Sequence, residues 1–474
     1  LRMQRARPGP SSEKEARPSR RMEWSASSVE KKIQCSVARK RLWRASRLRA
    51  EMPIERPRGT NDYGPEDMAR RRAVEGILRD SAHRFGFREV STPTIEHLDL
   101  FTTKSGPGIV EELYAFKDKG GRDLALRPEF TASIVRFYLS ELRNLPKPIK
   151  VYSVGNVFRY EEPQKGRYRE FTQFNAEIIG APALQGDTEV IALAIECLGS
   201  VGVREVHVRV GHIGMLRAFL KVPPEDQGKV LHWLDKRNFA ALKNELKRLG
   251  LESQEGPLRQ YIELKGGTEV LDKGAKLLAG VGTEGFDYLK ALANRLRAYG
   301  VEHITFDLGV VRGLDYYTGM VFEVDSPNLG AEKQVMGGGA YTLAELFGGD
   351  PVPQTGFAFG LDRVVLAAEA ERVKLPVPRL DCYVIPIGES MQTKSLEILQ
   401  LLRRAGVSAD IDLMGRGPSK NLDYANAIRA RSAVLVGEAE SKKGRVAVKD
   451  LDSGKQEELT LEALIANALQ RPNA

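Results

Sequence analysis

At 474 residues, with 42% hydrophobic and 28% charged side chains, the chain has the composition of a globular protein and exceeds what one ordinary core holds. No run approaches the roughly 20 consecutive apolar residues of a membrane helix, so a helical membrane protein is excluded. The net charge of +9 suggests nucleic acid, yet residues 1–50 hold 15 Lys and Arg against 4 Asp and Glu, leaving 57 basic and 59 acidic residues elsewhere, so RNA binding in the body must rest on local patches.

Residues 1–51 are rich in Arg, Ser and Pro and lack hydrophobic periodicity. They read as a disordered basic arm, a transit peptide, or an upstream stretch translated from a mistaken start. Glu13, Glu15, Glu23 and Glu30 weigh against a transit peptide. Met52, just before the first motif, favours the mistaken start, with the arm next. After Pro65 the spacing of Val74, Ile77, Leu78, Ala82 and Phe85 predicts a helix that Gly86 terminates. Strands are expected at Glu89–Thr92, Lys150–Arg159 and Phe171–Ile179, then a helix over Asp187–Leu198 and a strand at Val206–Val210. Residues from about 213 to 300 read as helical. Alternation resumes at Ile304, Phe306 and Leu308 and at Met320, Phe322 and Val324.

Val373–Pro378 reads as a linker. Beyond it, strand Cys382–Ile387, helix Met391–Ala405, strand Ser408–Leu413, helix Asn421–Ala430 and strand Ala433–Gly437 alternate as in a small α/β domain. The expected organisation is α+β: an extension over 1–51, an antiparallel sheet flanked by helices over 52–375 with a helical insertion at about 213–300, and a second domain over 376–474. Cys35, Cys197 and Cys382 match no zinc spacing, and no metal-binding motif is visible. Apolar neighbours around Cys197 and Cys382 suggest buried free thiols and a reducing, cytoplasmic setting.

The most informative stretch is FRYEEPQKGRYREFTQFNAEIIG, Phe158–Gly180. Arg159 and Glu161 are two apart and share a strand face; Phe171, Gln173, Asn175 and Glu177 share another. Such a polar face is costly to bury without partners and makes sense as the floor of a polar ligand site. A solvated sheet face would account for one such strand, but two adjacent strands with the same pattern weigh against it.

This stretch resembles motif 2 of the class II aminoacyl-tRNA synthetases, in the form found in histidyl-tRNA synthetases. The resemblance runs from about Ile54 to the C-terminus. RGTNDYGPEDM (Arg58–Met68) is similar to the family's opening segment, and GFREVSTPTIEHLDLF (Gly86–Phe101) to motif 1, the dimer-forming element around Pro93. LRPEFTASIVR (Leu126–Arg136) resembles the segment holding the amino acid, RGLDYYTG (Arg312–Gly319) the histidine signature, and GFAFGLDR (Gly356–Arg363) motif 3. The C-terminal domain is similar to the class IIa anticodon-binding module, through Ser419–Glu440 and Arg445–Leu451.

The resemblance implies activation of L-histidine by ATP, with Mg2+ accompanying the nucleotide, transfer to histidine tRNA, and a homodimer. Arginine suits such a site, because its fork binds phosphate oxygens and stays charged. By resemblance Arg159 holds the α-phosphate, Arg312 is a further cation beside it, Arg167 reaches the outer phosphates, and Arg363 holds the γ-phosphate and the adenine face. Phe171 would stack on adenine and Glu161 accept its amino group. Glu129, Thr131 and Gln173 match the α-ammonium positions. Glu177 and Tyr317 match the imidazole positions, with Tyr316 beside them. Arg159, Arg312 and Gln173 are the catalytic candidates.

Gln164, Lys165 and Arg169 are expected to meet the tRNA acceptor end, and Arg416, Lys420, Asn421 and Arg429 the RNA further away. Two departures stand out. Ala340 replaces an arginine usual before Tyr341, and Phe130 fills a position that is often smaller. Gly337, Gly338 and Gly339 are expected to let backbone approach the ligand. One competing reading is the regulatory subunit of the histidine-biosynthetic phosphoribosyltransferase, which binds histidine without charging tRNA. It typically lacks the anticodon domain and the motif 2 and 3 arginines, all present here. A synthetase of another class IIa specificity is opposed by RGLDYYTG, and a degenerate RNA-binding relative by the intact arginines.

Overall fold

A computed structural model describes residues 54–470 apart from 106, 165, 279, 311–316 and 331–332, with the side chains of 104–108 and 224–225 also left aside. The chain divides into two units, 1–57 and 58–474. Of the first, residues 54–57 are described and carry no regular secondary structure, so the expectations for 1–51 and Cys35 lie outside the described residues.

The second unit opens with a helix over Pro65–Arg84. Pro65 sits where its missing N–H costs nothing, Glu66 and Asp67 face the positive end of the helix dipole, and His83 and Arg84 the negative end. Gly86, at φ +73°, ends the helix where the sequence places the stop. Val74, Leu78 and Ala82 are fully buried.

The main sheet has nine strands in the order β1-β5-β6-β12-β11-β10-β7-β9-β8, numbered here in chain order. They span Arg88–Glu89 (β1), Ile149–Phe158 (β5), Glu170–Ile179 (β6), His207–His212 (β7), Lys265–Gly266 (β8), Ile304–Asp307 (β9), Tyr317–Asp325 (β10), Gln334–Tyr341 (β11) and Gln354–Gly360 (β12). The centre, from β5 to β7, is antiparallel; β1 with β5 and β7 with β9 are parallel. The expected strand Glu89–Thr92 is cut short. Beyond Val90 the chain leaves the sheet, and the Thr92 and Pro93 carbonyls turn to Arg127.

A separate three-stranded sheet, β2-β4-β3, pairs Ile95–His97 (β2) and Ala115–Lys117 (β3) with Asp123–Leu126 (β4). The helix Ala183–Val201 packs behind the main sheet against Pro65–Arg84. Between β7 and β9 lie helices at Ile213–Leu220, Pro224–Asp235, Phe239–Arg248, Glu255–Tyr261, Glu269–Leu277 and Glu284–Ala298. They share one apolar core, with Leu242, Tyr261 and Leu289 fully buried.

Residues 374–380 carry no regular structure. After them a five-stranded sheet is ordered β14-β13-β15-β16-β17, from Cys382–Pro386 (β13), Ala409–Ile411 (β14), Ser432–Val436 (β15), Arg445–Asp450 (β16) and Gln456–Thr460 (β17). The helix expected at Asn421–Ala430 runs instead over Pro418–Ala427. Pro418 starts it, and Arg429, at φ +55°, has already left helical geometry. Cys197 and Cys382 are buried thiols outside any disulfide among the described residues. No described helix is long and apolar enough to cross a membrane.

Candidate active site

Strands β5 and β6 pair along their whole length, from Ile149 opposite Ile179 to Phe158 opposite Glu170. Beyond them Gln164 and Arg167 exchange backbone hydrogen bonds of 3.0 and 2.9 Å around Gly166. At the base of this hairpin Arg169 donates Nε to the Glu161 carbonyl at 2.9 Å, and its guanidinium lies 4.0 Å from the Tyr160 ring centroid. The Arg169 N–H donates to the Gly59 carbonyl at 2.8 Å. Arg169 therefore braces the hairpin. Gln164 and Arg167 are exposed. Lys165, Arg312 and Tyr316 lie outside the described residues.

One cavity of about 420 Å3 is lined by Glu129, Thr131, Arg159, Glu161, Arg167, Phe171, Gln173, Glu177, Tyr317 and Arg363. These residues come from five separated stretches of chain. The size suits a small-molecule site. Arg159 donates Nε to the Pro128 carbonyl at 3.0 Å, and its guanidinium sits 5.4 Å from the Phe171 ring centroid and 3.9 Å from Glu161 Oε1. Glu129 accepts the backbone N–H groups of Thr131 and Ala132 and so caps the helix Thr131–Phe137.

Glu177 is the electrostatic centre. It is fully buried and accepts from the Thr131 hydroxyl at 2.7 Å, the Asn175 amide at 2.9 Å and the Tyr341 hydroxyl. Burial pushes its carboxyl up to about 7, against the pull of those three donors. Thr131 thus bonds to Glu177, a link that its expected α-ammonium role does not foresee. Gln173, also buried, has an Oε1 with no hydrogen-bond partner, which a ligand donor would satisfy.

Glycines shape this wall differently from expectation. Gly337 lines the cavity. Gly338 and Gly339 are instead demanded by the sheet: an added Cβ would run into the Gly356 carbonyl and Phe357 at the first, and into the Met320 carbonyl and Tyr317 ring at the second. At Gly356 it would overlap the Glu177 carboxylate.

Four residues take part in ways the sequence does not assign: Tyr341, Asp362, Tyr63 and Arg71. Tyr341 is one of the three donors to Glu177. Asp362 is held by Tyr63 Oη at 2.7 Å and by Arg71 Nη1 at 2.5 Å. That pair fixes the start of the helix Leu361–Ala370 and hence the position of Arg363. The only sequence signals are Tyr63 within the opening motif and Asp362 beside a motif arginine. Breaking such a buried ion pair costs about 3–5 kcal/mol.

On the helix Pro418–Ala427 Asn421 is fully buried, donating to the Arg416 carbonyl at 2.8 Å and accepting from Tyr383 Oη at 3.2 Å. It cannot be the RNA contact expected of it. Arg416 pairs with Asp412 at 2.7 Å and lies over Tyr424. Arg429 pairs at 3.4 Å with Glu66, and Lys420 is exposed.

A family model for histidyl-tRNA synthetase matches residues 59–364, and one for an anticodon-binding domain matches 381–471. A histidine–tRNA ligase of Archaeoglobus fulgidus is 44% identical over 407 residues, covering 85% of this chain and 97% of that protein. One from Methanosarcina acetivorans is 45% identical over 416 residues, covering 87% and 98%. The crystal structure of apo histidyl-tRNA synthetase from S. aureus superposes with a TM-score of 0.66 at 27% identity, covering 88% of this chain and 100% of that one.

Proposed function

The chain belongs to the histidyl-tRNA synthetase family, and from that premise we propose how its own residues activate histidine and pass it to tRNA. In the first step a histidine carboxylate oxygen attacks the α-phosphorus of ATP, forming the adenylate and releasing pyrophosphate. Negative charge crowds that centre, so positioned cations supply most of the rate. Arg159 serves the α-phosphate, with Arg312 beside it by resemblance. Arg167 and Arg363 serve the outer phosphates, and Phe171 and Glu161 the adenine.

Glu129, Thr131 and Gln173 take the α-ammonium group. Glu177, steered by Tyr341 and backed by Tyr317, accepts the imidazole N–H and fixes its tautomer. Mg2+ enters with the nucleotide as part of the substrate. No group of three or more His, Cys, Asp or Glu able to hold a metal occurs among the described residues. The ion would then take phosphate oxygens, water and a carboxylate, for which Glu112 on the cavity wall is suited.

In the second step the terminal ribose hydroxyl of the tRNA attacks the adenylate carbonyl, its proton passes to the adenylate phosphate oxygen, and AMP leaves. Gln164 and Lys165 would face the acceptor end, and Arg416 and Lys420 the RNA in the C-terminal domain. Arg429 does so only by giving up Glu66. A homodimer is supported by the three-stranded sheet. Ile95, Leu126, Leu124 and Phe116 share one face there, with Ile95 48% and Phe116 42% exposed. Buried thiols outside any disulfide among the described residues suit a cytoplasmic setting.

The observation that carries the proposal is the convergence of three arginines and the buried Gln173–Glu177 face on one cavity. Histidine-dependent exchange between pyrophosphate and ATP tests it; a folded protein without exchange overturns it.

A further inference from the structure

Arg127 has no assigned duty toward either substrate, yet it is one of the most heavily bonded cations in the molecule. It is 6% exposed. Its guanidinium donates only to main-chain carbonyls: Nε to Asn156 at 3.0 Å, and Nη1 to Thr92 at 2.7 Å and Pro93 at 3.4 Å. It lies over the Phe130 ring, 4.1 Å from the centroid. No carboxylate lies within ion-pair distance of it among the described residues, and burial lowers its proton affinity. A buried cation held in this way is costly and persists only where its geometry is needed.

Two of the segments it ties, Arg127–Pro128 and the end of β5, meet at Arg159. The Phe158 N–H donates to the Arg127 carbonyl at 2.9 Å, and Arg159 Nε donates to the next carbonyl, Pro128, at 3.0 Å. The exit of β5 and the Arg159 side chain are thus both hung on Arg127–Pro128. That segment is in turn hung on Thr92, Pro93 and Asn156 through the Arg127 fork. Gly155 completes the fit, because an added Cβ would lie 2.9 Å from Arg127 Nη2 and 3.3 Å from Phe130 Cζ. Phe130, where the resemblance has a smaller residue, is fully buried beneath the guanidinium as its cation–π platform.

We propose that Arg127, clamped between Phe130 and Gly155, is a positioning residue that holds Arg159 in register for adenylate formation. The proposal rests on the reading of Arg159 as the α-phosphate cation. A guanidinium tethered through one carbonyl stabilises developing charge only as well as that carbonyl is fixed, and displacements near 1 Å at such a site cost about a hundredfold in rate. Arg127 delivers that precision from outside the cavity.

The test is Arg127→Lys, which keeps the charge but lacks the fork that spans three carbonyls, measured by histidine-dependent pyrophosphate exchange. The expected result is a kcat lower by about tenfold or more with KM for histidine changed less than about twofold. In an Arg159→Ala background the same change should add less than about twofold, because the two act on one step. Phe130→Leu should lower kcat in the same direction with KM again unchanged, and decides alone should Arg127→Lys not fold. A wild-type kcat in the folded Arg127→Lys protein, or losses that multiply with Arg159→Ala, would overturn the proposal. Absence of exchange in the wild-type protein would instead sink the synthetase reading, and normal exchange in Arg159→Ala alone would remove the role given to Arg159.

Discussion

Glu177 shows how much one side chain here depends on its surroundings. Its folded-state carboxyl titrates near 7, above the ordinary value of 4.5, because burial outweighs three donors. The folded state therefore holds a proton that the unfolded chain has lost between those values, so the stability Glu177 contributes is full below 4.5 and falls away as pH rises through 7. In the ligand-free protein the melting temperature is expected to decline across that window, and Glu177→Gln to flatten the decline. A slope that is unchanged in the variant would remove this account. The same substitution leaves an amide facing the imidazole and should lower kcat/KM for histidine about a hundredfold, measured by exchange with histidine varied. Arg312→Ala should reduce kcat for exchange by at least about a hundredfold with the fold intact by circular dichroism.

The alternation of Gln173 and Glu177 on one strand is legible in the sequence, because a period of two fixes the face. Tyr341, 164 residues from Glu177, is not. Its partner is chosen by strand order, and no local pattern encodes that. Asn421 fails for a related reason: a polar residue beside a basic one reads as surface until the sheet behind it is known.

At the level of elements, the hairpin and the first helix work as supports. The paired strands β5 and β6 and both helix ends follow from periodicity, Pro65 and Gly86. The tie between that helix and Arg363, by contrast, runs from Arg71 to Asp362, 291 residues apart. Arg71→Ala should lower the unfolding free energy by about 3–5 kcal/mol in denaturant titration, since it strands a buried carboxylate. The small sheet β2-β4-β3 offers the proposed subunit contact. Joint replacement of Ile95 and Phe116 by Asp is expected to yield a monomer in sedimentation at micromolar concentration. A dimer that survives both changes would move the contact elsewhere.

At the level of the whole molecule, two sheets divide the labour. The nine-stranded sheet carries the cavity, and the five-stranded one stands beyond the linker. Lys420→Glu should raise KM for tRNA several-fold in the charging assay and leave pyrophosphate exchange at the wild-type level, because it touches only the second substrate. A change in exchange would show that the two domains are not separable in this way. The separate five-stranded sheet is legible in the shift of period after Pro378. The nine-strand order is not, since β6 pairs with β12 across the whole insertion.

That order also dictates a history for each newly made copy. Strand β6 can pair with β5 as soon as both leave the ribosome, but its other edge finds β12 only after Gly360 has been synthesised. Until then the growing chain exposes an unpaired strand carrying Phe174, Ile178 and Ile179, which are fully covered in the finished protein. Open apolar edges recruit one another, so messages broken before this point should yield aggregates rather than partly active fragments.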